Sequence, residues 1–275
     1  MKVVLQGVRG SSPASGTAFA RVGGHTSCVA LSLAGAAAPS LLLDAGTGLV
    51  NVDTSLAGAA YRGDILLTHL HWDHMQGLPF FAAADRPDAQ VRLLLPAQGD
   101  ASPSRPGSAS ALLAGCMSPP HFPIRPEGLR GGWTFEALDP GVHTLGGFTV
   151  TAAEVPHKGG RTFGYRVEAE GASLAYLPDH RAPAGGAGLA LARGVDVLLH
   201  GGMFHESEQA RADDYGHATG CAALRLAEAA GARRLVLVHH APTRTDDQVA
   251  ALATALTGSL PVVAGCEGDV VLDTV

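Results

Sequence analysis

The chain has 275 residues, 46% of them hydrophobic and 16% charged, enough to bury a core as one large domain or two small ones. A net charge of −6 leaves no basic footprint for nucleic acid. Four cysteines, Cys28, Cys116, Cys221 and Cys266, lie far apart with no Cys-x-x-Cys pair, which argues against a zinc knuckle or a disulfide framework. They read as small buried hydrophobes. No apolar stretch is long enough to span a bilayer, and the N-terminus turns polar too soon for a secretion signal. The expectation is a soluble, cytoplasmic protein with no membrane partner.

In chain order, residues 2–8 read as a short apolar strand and 9–24 as a glycine- and serine-rich loop. Residues 27–33 and 40–44 form a strand pair joined by a small-residue turn. Asp44-Ala45-Gly46-Thr47-Gly48 is a sharp turn into a helix. The run Asp64-Ile65-Leu66-Leu67 ends a buried strand, a helix starts within 76–83, and 91–95 is another strand. Between 96 and 132 proline, serine and glycine dominate, with one helical patch at 108–114. So long an irregular segment suits an active-site lid or a dimer contact, and Met117, Pro119, Pro120, His121 and Phe122 are too apolar for a purely solvated loop.

The second half repeats the arrangement in a mirrored sense. Strands are expected at 133–137, 148–155, 162–168, 173–177, 195–200 and 234–239. Helices fall at 221–230 and 246–256, with a closing strand pair near Val262 and Val270. Strands flanked by helices, with polar residues at several strand ends, predict two sheets packed face to face with helices outside.

The densest chemistry is Thr68-His69-Leu70-His71-Trp72-Asp73-His74, directly after a buried strand. Three imidazoles and a carboxylate in that place converge on metal, and the spacing lets His69 and His71 face one ion while Asp73 and His74 face a neighbour. Imidazole and carboxylate without thiolate suit zinc best, with manganese or iron next. Other candidates also follow apolar strands: His157, Asp179, His200, and the pair His239-His240.

These pieces, with Gly164-Tyr165-Arg166, Leu177-Pro178-Asp179-His180 and Gly216-His217-Ala218-Thr219, resemble the metallo-β-lactamase superfamily of metal-dependent hydrolases. The resemblance covers nearly the whole length and is closest to the branch of tRNase Z-like and cyclic-phosphate phosphodiesterases. It implies an α/β fold, a four-layer αββα sandwich, in one domain over residues 1–275. It implies two divalent ions. His69, His71 and His157 would hold one, Asp73, His74 and His239 the other, and Asp179 would bridge both. His240 competes with His239, which is preferred because it directly follows the strand. Asp44 matches a carboxylate that orients ligand loops by hydrogen bonds.

In that family a hydroxide shared by the metals attacks the substrate. Asp73 and Asp179 count with the catalytic set, and His217 matches the histidine that protonates the leaving group. Relatives carry an acidic residue after the position of His200 to steer that histidine, whereas this chain has Gly201, leaving His205, Glu206 or Asp214 as substitutes. His180 and His200 stand as supporting or substrate-facing residues.

A small phosphodiester, cyclic ones included, is the expected substrate, with Lys158, Arg161 and Arg166 as candidate phosphate contacts. Roughly twenty residues separate His157 from Asp179, leaving no room for the protruding tRNA-binding arm of long-form relatives, so no nucleic-acid partner is expected. A lactone, thioester or other acyl ester is the alternative, suited to the apolar stretch 117–122. Two other classes stay open: an iron-dependent oxidoreductase, against which His71 stands where flavin-linked di-iron relatives carry glutamate, and a metal-binding protein without catalysis.

Overall fold

The computed structural model describes residues 1–183 and 185–274. One sheet is built from β1 (Lys2–Gly7), β2 (Cys28–Ser32), β3 (Leu41–Leu43), β4 (Arg62–Leu66), β5 (Gln90–Pro96) and β6 (Gly132–Leu138). The other takes β7 (Gly141–Leu145), β8 (Phe148–Glu154), β9 (Phe163–Ala169), β10 (Ala172–Leu177), β11 (Val197–Gly201), β12 (Leu235–Val238) and β13 (Val262–Ala264). The last strand, β14 (Val270–Asp273), returns to the first sheet beside β1.

Each sheet has an antiparallel part and a parallel part. The first runs β14-β1-β2-β3-β4-β5-β6, with the pairs from β3 onward parallel. The second runs β13-β12-β11-β10-β9-β8-β7, with the pairs from β13 to β10 parallel. Parallel strands send their C-terminal ends to one edge, where side chains from distant parts of the chain can meet.

Alternation along the strands separates the layers. Val29, Leu31, Leu41, Leu43 and Leu66 face Phe148, Val150, Tyr165, Leu199 and Val236 across the sandwich. Each such buried leucine stabilises the fold by roughly 1.5–3 kcal/mol. The opposite face of the first sheet, with Ala30, Leu42 and Ile65, packs under helices α1 (Leu49–Leu56) and α2 (Ser108–Leu113). That of the second, with Leu198 and Leu237, lies under α3 (Ala187–Ala192), α5 (Gly220–Ala230) and α6 (Asp246–Ala255), while α4 (Gln209–Tyr215) flanks the site. The result is the expected αββα sandwich.

Two expectations change. The helix expected in 76–83 is only a 3-10 turn, Leu78–Phe80. The amides that would propagate it are taken elsewhere: Gly77 donates to Ala45 O (2.9 Å), and Ala82 and Ala83 donate to the Asp53 carboxylate (2.9 and 2.7 Å). The closing strands near Val262 and Val270 do not pair with each other. The chain crosses between sheets there, Gly265 N donating to Leu237 O and Gly268 N to Leu5 O, both at 2.8 Å. The segment 97–131, expected as a lid or a dimer contact, packs beside the metal-loop turn. Ala101, Ala109 and Leu113 join the core outside the first sheet, and Cys116, Met117 and Phe122 line an apolar cavity of about 470 Å³ with Trp72, Met75 and Phe80.

Candidate metal centre

Strand β4 ends at Leu66, and Trp72–His74 forms a single 3-10 turn closed by the His74 amide on His71 O (3.0 Å). The turn drives Asp73 and His74 inward, 6% and 0% exposed, and throws Trp72 outward at 72%. Asp179 arrives two residues after β10, and His239 directly after β12 in a left-handed conformation (φ 55°). The His239 ring lies where a Cβ on Gly10 would sit, 2.3 Å away, so glycine is needed there.

Asp179 is the meeting point. Its Oδ2 lies 3.2 Å from His69 Nε2, 3.3 Å from His157 Nε2 and 3.5 Å from His74 Nε2, and its Oδ1 lies 3.0 Å from His239 Nε2. His71 Nδ1 is 3.4 Å from His157 Nε2. Asp73 Oδ2 lies 3.0 Å from His239 Nε2 and 3.3 Å from His74 Nε2. Ligand atoms therefore gather in two main groups, His69-His71-His157-Asp179 and Asp73-His74-His239, and Asp179 and His239 gather with His217 as well.

A second set of contacts orients these rings. The buried Asp44 accepts from His74 Nδ1 (2.7 Å), Thr68 N (2.7 Å), Thr68 Oγ1 (2.9 Å) and Tyr176 OH (2.9 Å). Thr68 Oγ1 gives its proton to Asp44 and accepts from His69 Nδ1 at 3.0 Å. His157 Nδ1 donates to Gly216 O at 2.8 Å. The Ser11 amide donates to Asp73 Oδ2 at 2.7 Å. The Nδ1 contacts of His69, His74 and His157 thus turn Nε2 of these three rings towards the cluster. Sequence reasoning gave Thr68, Tyr176, Gly216 and Ser11 no part. Thr68 and Gly216 carried a signal, their places at the head of the histidine run and directly before His217; Ser11 acts through its backbone amide and Tyr176 across the sandwich.

Several candidates fall outside the cluster. His240 turns away and donates from Nε2 to Gly265 O (3.0 Å). His200 shares strand parity with Leu198, so it faces the helix layer. There its Nδ1 donates to Gly201 O and its Nε2 accepts from His180 Nδ1, both at 3.0 Å. His180 presses on α3, where a Cβ at Gly188 would lie 2.5 Å from its Nε2. Arg166 bonds Leu191 O, Arg193 O and Glu168, and Arg161 bonds Glu154 and Ala97 O; neither lines the cavity at the cluster, whereas Lys158 does.

No substitute steers His217. Glu206 accepts from Thr219 Oγ1 (2.8 Å), His205 contacts Ser207 (2.9 Å), and Asp214 meets Lys158 (3.5 Å). Among the described residues the carboxylate in ion-pair reach of His217 is Asp179, 4.0 Å from Nδ1. Position 201 cannot host the missing acid: a Cβ there would sit 2.1 Å from Pro178 O.

The electrostatics divide the cluster. Burial lowers the pKa of His69, His71 and His157 and keeps them neutral, the form that binds metal. Burial likewise takes His217 down to about 3. Burial opposes charge on His239 too, but Asp179 and Asp73 hold it up to about 9, and Asp73, Asp44 and Asp179 raise His74. Burial pushes Asp73 and Asp179 up, but the neighbouring histidines more than offset this and hold both well below the usual carboxylate range. Cation binding would displace the protons on His74 and His239, so affinity falls in acid.

The donor set fits divalent ions. His69 Nε2 and Asp179 Oδ1 are buried and, among the described residues, face other donor atoms of the cluster at 3.2 and 3.0 Å without a well-aligned hydrogen bond, a state that costs about 1–3 kcal/mol per group unless something else satisfies it. Free cysteines lie outside the groups. Next to the cluster, a cavity of about 770 Å³ is lined by His71, His157 and His217 together with Lys158, Arg211 and Arg244.

Residues 40–240 match the family described as the beta-lactamase superfamily domain, and the chain belongs to that family. A Ribonuclease Z of Bradyrhizobium sp. is 27% identical over 79% of this chain and 88% of its own. A Ribonuclease Z of Salinibacter ruber is 45% identical over 25% of this chain, and the match spans about a fifth of that relative's length (21%). Among solved structures, the metallo-beta-lactamase fold protein YhfI of Bacillus subtilis superimposes with a TM-score of 0.72 at 17% identity, covering 98% of both chains. Human tRNase Z, short form, superimposes with a TM-score of 0.68 at 20% identity, covering 99% of both. Fold, family and donor set together define the class as metal-dependent hydrolase. No helix among the described residues is long and apolar enough to cross a membrane.

Proposed function

We propose that this protein is a dinuclear metal-dependent phosphodiesterase acting on a small phosphodiester. The observation that carries this reading is the Asp179 carboxylate, with Oδ2 against His69 and His157 and Oδ1 against His239. One group would be held by His69, His71 and His157, the other by Asp73, His74 and His239, with Asp179 between them. Zinc suits this oxygen and imidazole set. Two such ions, when bound, lower the pKa of water towards neutrality and offset charge developing on phosphate oxygens.

The chain's own residues do the rest. Asp44, Thr68 and Gly216 orient the rings of His74, His69 and His157 through their Nδ1 atoms. Three cations line the cavity, Lys158, Arg211 and Arg244, and Arg211, with no carboxylate in ion-pair reach among the described residues, favours an anionic substrate. His217, at the cavity wall with its ring 4.9 Å from His157 and 5.2 Å from His239, is placed to hand a proton to a departing alkoxide. Burial takes its pKa to about 3, so little of it carries that proton at neutral pH, which favours substrates with good leaving groups.

Nucleic acid is the competing substrate class, since relatives are named Ribonuclease Z. The net charge of −6 opposes it. The test is metal content by mass spectrometry with hydrolysis of bis(p-nitrophenyl) phosphate, a p-nitrophenyl acyl ester and a tRNA precursor. Two metals per chain with preferred cleavage of the phosphodiester support the reading. Cleavage of the acyl ester alone moves the assignment to an esterase or lactonase, and efficient cleavage of the precursor moves it to RNA processing.

A further inference from the structure

Three cations line the cavity beside the metal cluster, and two of them are already matched. Lys158 Nζ lies 3.5 Å from Asp214 Oδ1, and Arg244 pairs with Glu208. Arg211 has no carboxylate in ion-pair reach among the described residues. Its guanidinium instead lies 5.9 Å from the Phe204 ring centroid and 5.7 Å from that of Tyr215. The two rings are nearly parallel, 6.4 Å apart with 6° between planes.

This group is tied to the chemistry by short covalent and packing links. Arg211 and Tyr215 stand four residues apart on α4 and so share a face. Gly216 ends the helix in a left-handed conformation (φ 78°) and holds His157 through its carbonyl; His217 follows. Phe204 is buried (4% exposed) with its ring 5.9 Å from that of His217, but Tyr215 remains 49% exposed. Two ring-to-ring steps therefore lead from the cluster to an aromatic face held in orientation by a cation and backed by a second ring. Tyr215 lines the same cavity as His71, His157 and His217, so one ligand can meet both the aromatic face and the cluster.

We propose that Tyr215, backed by Phe204 and Arg211, is a stacking platform for the nucleobase of a nucleotide-type phosphodiester whose phosphate sits at the metal cluster. The inference rests on the phosphodiesterase reading and narrows its substrate class. Stacking of this kind tolerates any base, because every base offers a π face, so discrimination between bases should be weak.

The test compares thymidine 5′-(4-nitrophenyl phosphate) with ethyl 4-nitrophenyl phosphate on the metal-loaded enzyme. Both expel the same leaving group and differ in the nucleoside. The wild type should favour the nucleoside ester by about tenfold or more in kcat/KM, mostly through KM. Tyr215→Ala should reduce that ratio to within about threefold, and Tyr215→Phe should retain it. Equal kcat/KM for the two esters in the wild type, or a preference that survives Tyr215→Ala, overturns the platform. Calorimetric binding of thymidine 5′-monophosphate against ethyl phosphate reads the same contact without turnover, and equal affinities there overturn it too. If the nucleotide binds with the Tyr215 dependence but neither ester is cleaved, the platform stands and the phosphodiesterase reading falls.

Discussion

Replacing Asp44 by Asn separates the orientation of the ligands from their identity. Asp44 has φ 60°, a conformation asparagine adopts readily, so backbone strain does not confound the change. In the wild type its two oxygens accept four hydrogen bonds, two from Thr68, one from His74 Nδ1 and one from Tyr176. The amide keeps one acceptor for Thr68 and presents an NH2 group to His74 and Tyr176. His74 can then only accept at Nδ1, which places its proton on Nε2, the atom that faces Asp73, Asp179 and His239. Loss of such a supporting contact typically costs 10- to 100-fold in metal affinity, about 1.4–2.8 kcal/mol. Zinc affinity of the variant, measured by chelator competition, should fall in that range for one of the two ions and much less for the other. Circular dichroism would verify the fold. An unchanged affinity for both ions in a folded variant would refute the idea that Asp44 sets the His74 tautomer.

Three more expectations follow from the same geometry. Asp179→Ala or His69→Ala should lose metal and hydrolysis together, read by mass spectrometry and p-nitrophenolate release; full metal retention in either would remove that residue from the ligand set. His217→Ala should keep its metal yet lose turnover on esters with poor leaving groups, and an equal loss on good and poor leaving groups removes it from the acid role. Burial takes His240 down to about 4 from the ordinary 6.5, so between those values the unfolded chain binds more protons and stability falls with falling pH. At pH 5 this costs about 2 kcal/mol, and His240→Gln should remove that share of the fall in urea melts of chelator-treated protein, leaving the shares of His200 and His217. An unchanged profile between pH 6.5 and 5 would show that His240 does not titrate as its burial requires.

Most strands were legible because a half-buried strand must alternate and a doubly buried one must be apolar. Leu41–Leu43 and Leu235–Val238 show this directly. The segment 76–83 was misread because the acceptors that capture its amides, Ala45 and Asp53, lie well upstream in the chain. The final strands were misassigned for a related reason. Their partners, β12 and β1, are chosen by which sheet edge lies open, which local pattern does not encode.

The amino-acid sequence alone determined the donor chemistry of the proposed centre. His69, His71, Asp73 and His74 lie on one loop, where a short turn must direct them together. His157, Asp179 and His239 each follow an apolar strand. Only the tertiary structure decided between His239 and His240, because a left-handed turn after β12 sends one ring to the cluster and the other to Gly265 O. It also decided that His200 belongs with His180 under α3, and that Gly201 leaves no room for the acid expected beside it. These outcomes depend on close approach between segments distant in sequence. Local spacing sets which side chains can point the same way, and packing sets what they meet.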